Sequence, residues 1–156
     1  MRMEFIFLGK TKEPFLGEGI DHYCRRLRHY VEVDIRVVKE RQWSNKVPSE
    51  QILNKEGNLL LDHISRPSFL VTLDRQGKKV SSAGLAKLLW QWENQGQPRI
   101  SFVLGGPLGL AASLTNKADL CLSLSDLTFT HEMARLILFE QLYRASTIRA
   151  GHQYHK

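Results

Sequence analysis

Long apolar runs are missing from this 156-residue sequence. The longest cover only a few residues, far short of the ~20 that a bilayer-spanning helix needs. Cysteine is scarce: Cys24 and Cys121 stand far apart, with no CxxC spacing, which excludes a disulfide framework and a zinc knuckle. Both read as small buried hydrophobes, Cys24 in a helix and Cys121 in a strand. There is no GxGxxG and no GxxxxGK, so neither a dinucleotide fingerprint nor a phosphate-cradling P-loop is supported. No serine sits in a GxSxG elbow. His152 and His155 have no Cys, Asp or Glu beside them to complete a metal set, and no metal is expected. Internal repeats and low-complexity stretches are also absent. The opening run Met1–Gly9 is interrupted by Glu4 and lacks a small-residue cleavage site, so it reads as a first strand rather than a signal peptide, and the expected location is the cytoplasm.

What is present is positive charge. Twenty-two Lys and Arg stand against 16 Asp and Glu, for a net charge of +6. Such an excess favours a polyanionic partner through counterion release. It concentrates in three places: Arg25, Arg26 and Arg28; Arg75, Lys78 and Lys79; and the final segment with Arg144, Arg149, His152, His155 and Lys156, which contains no acidic residue.

Residues 3–9 read as a strand, and Pro14 opens a helix that runs to about Tyr30. Residues 31–38 alternate with period two, the pattern of a half-buried strand. Pro48-Ser49-Glu50 starts a second helix with apolar positions Ile52, Leu53, Leu59, Leu60 and Ile64. Residues 69–73 form a short strand that is expected to stop at Asp74 and a glycine-containing loop. A helix over 81–95, a strand over 100–104, a short helix near 111–118, a strand over 120–124 and a helix over 131–147 complete the chain. Strands alternating with helices through brief connections predict one α/β domain over residues 1–156, with a mostly parallel sheet and helices on both faces. The last helix is apolar on more than one face, which calls for a second subunit or for burial within one chain.

In an open parallel sheet, ligands bind beyond the carboxyl ends of the strands. Three such ends, near Leu73, Leu104 and Leu124, run into loops of small or polar residues. Gly105-Gly106-Pro107-Leu108-Gly109 allows close backbone approach and a stiffened turn, with or without a ligand. Leu124-Ser125-Asp126-Leu127-Thr128-Phe129 leads into the last helix, where Thr128 or Thr130 fits the N-cap and Glu132 suits its positive end. That loop could serve as a cap alone, or present backbone groups to an adenine or ribose.

Taken in order, Gly9-Lys10, Val71-Thr72-Leu73-Asp74, the Gly105–Gly109 turn, Leu122–Phe129, His131 with Arg135, Glu140–Ala145 and the terminal Tyr154-His155-Lys156 resemble the ribosomal RNA large subunit methyltransferase H family of the SPOUT superfamily. The resemblance spans essentially the whole chain. It implies a SPOUT fold with a deep trefoil knot near the C-terminus and a homodimer. By matching position it implies S-adenosylmethionine contacts at Leu73, Gly105, Leu124, Ser125, Asp126, Leu127, Thr128 and Phe129. The reaction it implies is methylation of N3 of a pseudouridine in large-subunit (23S) ribosomal RNA, on the assembled 70S ribosome. The chain departs from the family at Leu108, where many members carry Glu, and at Thr130, where many carry Pro. A catalytic role for position 108 therefore does not carry over.

Given that resemblance, Arg144, Tyr154 and His155 are the expected catalytic residues, with His155 a proton acceptor and Arg144 a bidentate holder of base or phosphate. Structural pairing of Arg144 with a carboxylate is the competing reading. Arg25, Arg26, Arg28, His131 and Arg135 are the expected RNA contacts, with Lys78 and Lys79 beside them. A related enzyme acting on transfer RNA, or an RNA-binding protein without turnover, remains a distinct alternative.

Overall fold

The computed structural model describes residues 1–155, and the side chain of His155 together with Lys156 lies outside the described residues. Five strands, β1 (Arg2–Leu8), β2 (Glu32–Val38), β3 (Phe69–Lys79), β4 (Arg99–Leu104) and β5 (Leu120–Ser123), form one sheet in the order β2-β1-β4-β3-β5. Every pairing is parallel. The helices are α1 (Pro14–Leu27), α2 (Ser49–Asp62), α3 (Ser82–Asn94), α4 (Ala112–Thr115) and α5 (His131–Arg149), followed by a 3-10 turn at Gln153–His155. The expected α/β class with a parallel sheet is what the chain forms.

Period-two alternation along β1 sorts the core into two layers. Met3, Phe5 and Phe7 face α1, α3 and α5, where they join Ile20, Leu27, Leu89, Trp92, Leu138 and Phe139. Ile6 and Leu8 point the other way, with Leu60, Val103 and Leu114 beneath α2 and α4. The Phe5 ring lies 4.3 Å from that of Phe139 and 5.3 Å from that of Phe102, which ties α5 to the two central strands.

Glu4 shares the second face and is fully buried. It accepts hydrogen bonds from Ser101 Oγ (2.6 Å), Ser65 Oγ (2.7 Å) and Ser65 N (3.2 Å), and Arg36 Nη2 lies 3.2 Å away. Burial pushes its carboxyl up, but the Ser101 and Ser65 hydrogen bonds and the Arg36 charge outweigh that and hold it below the usual carboxylate range.

One boundary differs from expectation. β3 does not end at Leu73 but continues to Lys79, and Leu122 of β5 pairs with both Leu73 and Lys78. Residues 74–77 bulge between two stretches of ladder. Gly77 permits this because a Cβ there would lie 2.7 Å from the Leu122 carbonyl carbon and 2.8 Å from the Cys121 carbonyl, so only glycine lets the strands approach. Lys78 and Lys79, expected in a loop, are therefore strand residues.

Candidate functional site

The bulge of β3 after Leu73 and the carboxyl ends of β4 and β5 open into a cleft of about 840 Å³. Its floor is apolar, formed by Leu73 before the β3 bulge and by Leu104 and Leu122 near the ends of β4 and β5. One wall is the turn after β4. Gly105 is buried, and a Cβ on it would fall 2.1 Å from Gly109 O; Gly109 itself adopts φ +83°. The Gly109 N–H donates to Gly106 O at 3.0 Å, closing the turn and lifting Leu108 to the rim, where it is 47% exposed. An apolar residue thus occupies that rim position.

The opposite wall is the segment after β5. Ser123 Oγ donates to Ser125 O (3.1 Å) and Leu127 N donates to Ser125 Oγ (2.9 Å), so two serines shape the backbone there. Leu124, Ser125, Leu127, Thr128 and Phe129 line the cleft, as do Leu73 and Gly105. Asp126 is not part of the lining. It is exposed and forms an ion pair with Lys79, so its carboxylate turns toward the β3 extension. Arg75 Nη1 reaches Thr128 Oγ1 at 3.3 Å and links the β3 bulge to this wall.

Helix α5 closes the third side. Thr130 is its N-cap, its hydroxyl accepting from Met133 N at 3.2 Å, and Glu132 sits in the first turn. His131 lines the cleft beside Glu13 and Leu16 of the α1 side. Burial, and then the nearby Arg135 charge, lower the pKa of His131, so at neutral pH its imidazole is uncharged and able to accept a proton. The part played by Glu13 and Leu16 has no local sequence signal; it follows from α1 leaving β1 beside the cleft.

Arg135 requires a correction. The sequence reading placed it on the RNA surface, yet it is completely buried. Its Nη2 donates to Leu8 O at 2.6 Å and its Nη1 to Thr11 Oγ1 at 3.1 Å, while its guanidinium lies 4.7 Å from the centre of the Phe7 ring. Burial lowers its pKa. Arg135 fastens α5 to the carboxyl end of β1 and offers nothing to an external phosphate.

Arg144 and Tyr154 occupy a separate cluster at the far end of α5. Arg144 Nη2 pairs with Glu140 Oε1 at 2.6 Å, one helical turn away, and its guanidinium lies 4.8 Å from the centre of the Tyr154 ring. The Tyr154 hydroxyl is 3.3 Å from the same Glu140 oxygen and 3.5 Å from the Tyr23 hydroxyl. Burial, followed by the Tyr23 hydrogen bond, raises its pKa, so the phenol stays protonated. The pairing of Arg144 with a carboxylate, weighed from sequence, is present; its signal was the four-residue spacing from Glu140. Arg25, Arg26 and Arg28 are exposed near the end of α1, with Arg26 5.6 Å from the centre of the Tyr143 ring in the same cluster. At 1.5 Å per residue, Arg144 is about 20 Å along α5 from His131. A single chain therefore keeps the cleft and the cluster apart.

Among the described residues no group of His, Cys, Asp and Glu is arranged to hold a metal ion, and no helix is long and apolar enough to cross a membrane.

Known proteins resemble this chain in sequence and in fold. A family model described as "Predicted SPOUT methyltransferase" matches residues 1–155. The ribosomal RNA large subunit methyltransferase H of Desulfotalea psychrophila is 47% identical over 156 residues, covering 100% of both chains. The putative protein of that name from Methanoregula boonei is 44% identical over 159 residues, again across both chains in full. A probable methyltransferase structure from Bordetella pertussis superposes with a TM-score of 0.57 at 13% identity, over 92% of this chain and 95% of its own, which is a likeness of fold. By end-to-end identity to the first two and by the matching family model, the chain belongs to the ribosomal RNA large subunit methyltransferase H family of SPOUT methyltransferases.

Proposed function

We propose that this protein methylates large-subunit ribosomal RNA with S-adenosylmethionine as cofactor, and that its target is N3 of a pseudouridine on the assembled ribosome. The observation that carries the reading is the cleft between the β3 bulge and the ends of β4 and β5, with an apolar floor and walls of tightly turned backbone. Its size and its mixture of leucines with accessible main chain suit a nucleoside bearing an amino-acid arm joined through a sulfonium. When bound, the cofactor supplies an electrophilic methyl group on a sulfonium. Leu73, Gly105 and the segment Leu124–Phe129 would hold it, mainly through backbone contacts, with Asp126 contributing through the shape of the loop and its pairing with Lys79.

The chain's own residues must then orient the ring nitrogen and receive its proton. Alignment of this kind contributes up to ~7–11 kcal/mol. His131, neutral at the rim, and His155 are the two groups suited to take the proton. Arg144, held against Glu140 and Tyr154, is suited to stabilise negative charge on the uracil oxygens.

A homodimer resolves the ~20 Å separation, since a second copy of α5 can bring its Arg144–Tyr154 cluster to this cleft. Phe15, Leu108 and Leu127, 62%, 47% and 72% exposed near the cleft, are consistent with a covering surface. Arg25, Arg26 and Arg28 extend that cluster and would meet the RNA. The reading includes the trefoil knot near the C-terminus that the family implies, and a cytoplasmic site of action.

The test uses labelled S-adenosylmethionine with 70S ribosomes lacking the modification, with isolated large-subunit RNA, and with transfer RNA. Label on N3 of a pseudouridine in the 70S sample, lost in Arg144→Ala with cofactor binding intact, is the expected result. Label only in transfer RNA, or cofactor binding without transfer to any RNA, would overturn it.

A further inference from the structure

The end of the sheet opposite the cleft carries a second concavity, about 510 Å³, lined by Arg2, Glu32, Arg66, Pro67, Pro98 and Arg99 among others. Three arginines and a single carboxylate, Glu32, line it. Arg2 is the arginine that engages that carboxylate, donating to Glu32 Oε2 through both Nε (2.9 Å) and Nη2 (2.6 Å). Among the described residues, Arg66 and Arg99 have no carboxylate within ion-pair reach. The Nε of Arg99 is enclosed and has no hydrogen-bond partner among them either.

The register sharpens the point. Arg2 and Arg99 are directly paired residues on adjacent parallel strands, and Arg2 pairs with Glu32 on its other side. Neighbouring strands run about 4.8 Å apart, and like charges held opposite one another are destabilising. A second arginine with no acidic partner is placed beside the first, and Arg66 from the α2–β3 turn adds a third. Such a set is stabilised by an anion, and a guanidinium fork matches the oxygens of a phosphate.

We propose that this concavity is a phosphate-binding site that grips a second stretch of the RNA backbone while the target base is held at the cleft. The inference rests on the ribosomal RNA reading above. Along β4 the two sites stand about 17 Å apart, at roughly 3.3 Å per residue, a separation that a folded ribosomal RNA element spans with ease. The contact is to backbone, so it sets affinity and orientation and leaves the choice of base to the cleft. The net charge of +6 supports the same partner.

The test compares wild type, Arg66→Ala, Arg99→Gln and the charge-preserving Arg66→Lys. Binding to ribosomes is measured across a salt series, alongside steady-state methylation. Arg66→Ala, altering an exposed side chain, should fold normally; roughly tenfold weaker binding is expected, a salt slope shallower by about 1, a raised KM for ribosomes and an unchanged kcat. Arg66→Lys should retain most of the slope. An unchanged slope and KM in Arg66→Ala would overturn the proposal. So would binding of inorganic phosphate, followed by chemical-shift titration and lost in the variant, with ribosome affinity unmoved; that would mark a small-anion site. Failure of the function reading is seen separately, as a wild-type protein that transfers no methyl group to ribosomal RNA while its salt slope is still measurable.

Discussion

Replacing Arg135 by Ala decides whether this residue anchors α5 or meets RNA. The side chain is wholly buried, gives a 2.6 Å hydrogen bond to Leu8 O and a 3.1 Å bond to Thr11 Oγ1, and covers the Phe7 ring at 4.7 Å. Truncating a large core side chain costs about 3–5 kcal/mol through lost contacts and the cavity left behind. Orphaning the Leu8 carbonyl adds about 1–3 kcal/mol. Removing a buried cation whose Nε has no partner returns several kcal/mol of desolvation. A net loss of about 3 kcal/mol is expected. At ~2–4 °C per kcal/mol for a domain of this size, that lowers Tm by about 6–12 °C. The assay is thermal unfolding of both proteins at one concentration, so that any assembly equilibrium is shared, with a salt series of RNA binding on the folded fraction. The anchor reading requires a fall in Tm with an unchanged salt slope. A variant as stable as wild type, with a slope shallower by about 1, would refute it and return Arg135 to the RNA surface.

Gly105→Ala should abolish measurable cofactor binding by calorimetry, because its Cβ would meet Gly109 O at 2.1 Å and force the β4 turn open; binding within a factor of two of wild type would show that the turn does not shape the cleft. The Glu4 carboxyl titrates below its ordinary value in the folded state, so its contribution is fully present above the unfolded carboxylate pKa and is lost as pH falls through the native one. Urea midpoints measured between about pH 3 and pH 6 should therefore fall steeply toward acid, and Glu4→Gln should be less stable at neutral pH with a shallower acid decline; parallel curves for the two proteins would contradict this.

The elements were legible because their determinants are local. The alternation of Met3, Phe5 and Phe7 with Glu4, Ile6 and Leu8 already separates the two faces that cover β1. Thr130 is recognisable as a cap from its place before an apolar helix, and it caps α5. The loops after Leu104 and Leu124 announce the cleft once a parallel sheet is expected, since connections diverge there, while the expected loop after Leu73 is a bulge within β3 that lines the same cleft. Resemblance then supplied the cofactor and reaction that such loops alone left open.

The rest depended on neighbours remote in sequence. Gly77 looked like a loop glycine because nothing near it reveals that Cys121 and Leu122 pass within a Cβ radius and carry β3 on to Lys79. Asp126 looked like a cleft residue until Lys79 came within reach of it. Arg135 reads as a surface cation in any window along α5, but packing places it over the end of β1, where Leu8 and Thr11 are the partners to be had. The convergence of Arg2, Arg66 and Arg99 likewise joins three distant positions through strand order and register. Periodicity and capping are set within a few residues of backbone, so the sequence by itself determined the α/β alternation, the faces of its strands and the strand ends that form the cleft. Burial and pairing of charge depend on which segments meet in space, so only the tertiary structure decided which arginines anchor the fold and which remain available to an anion.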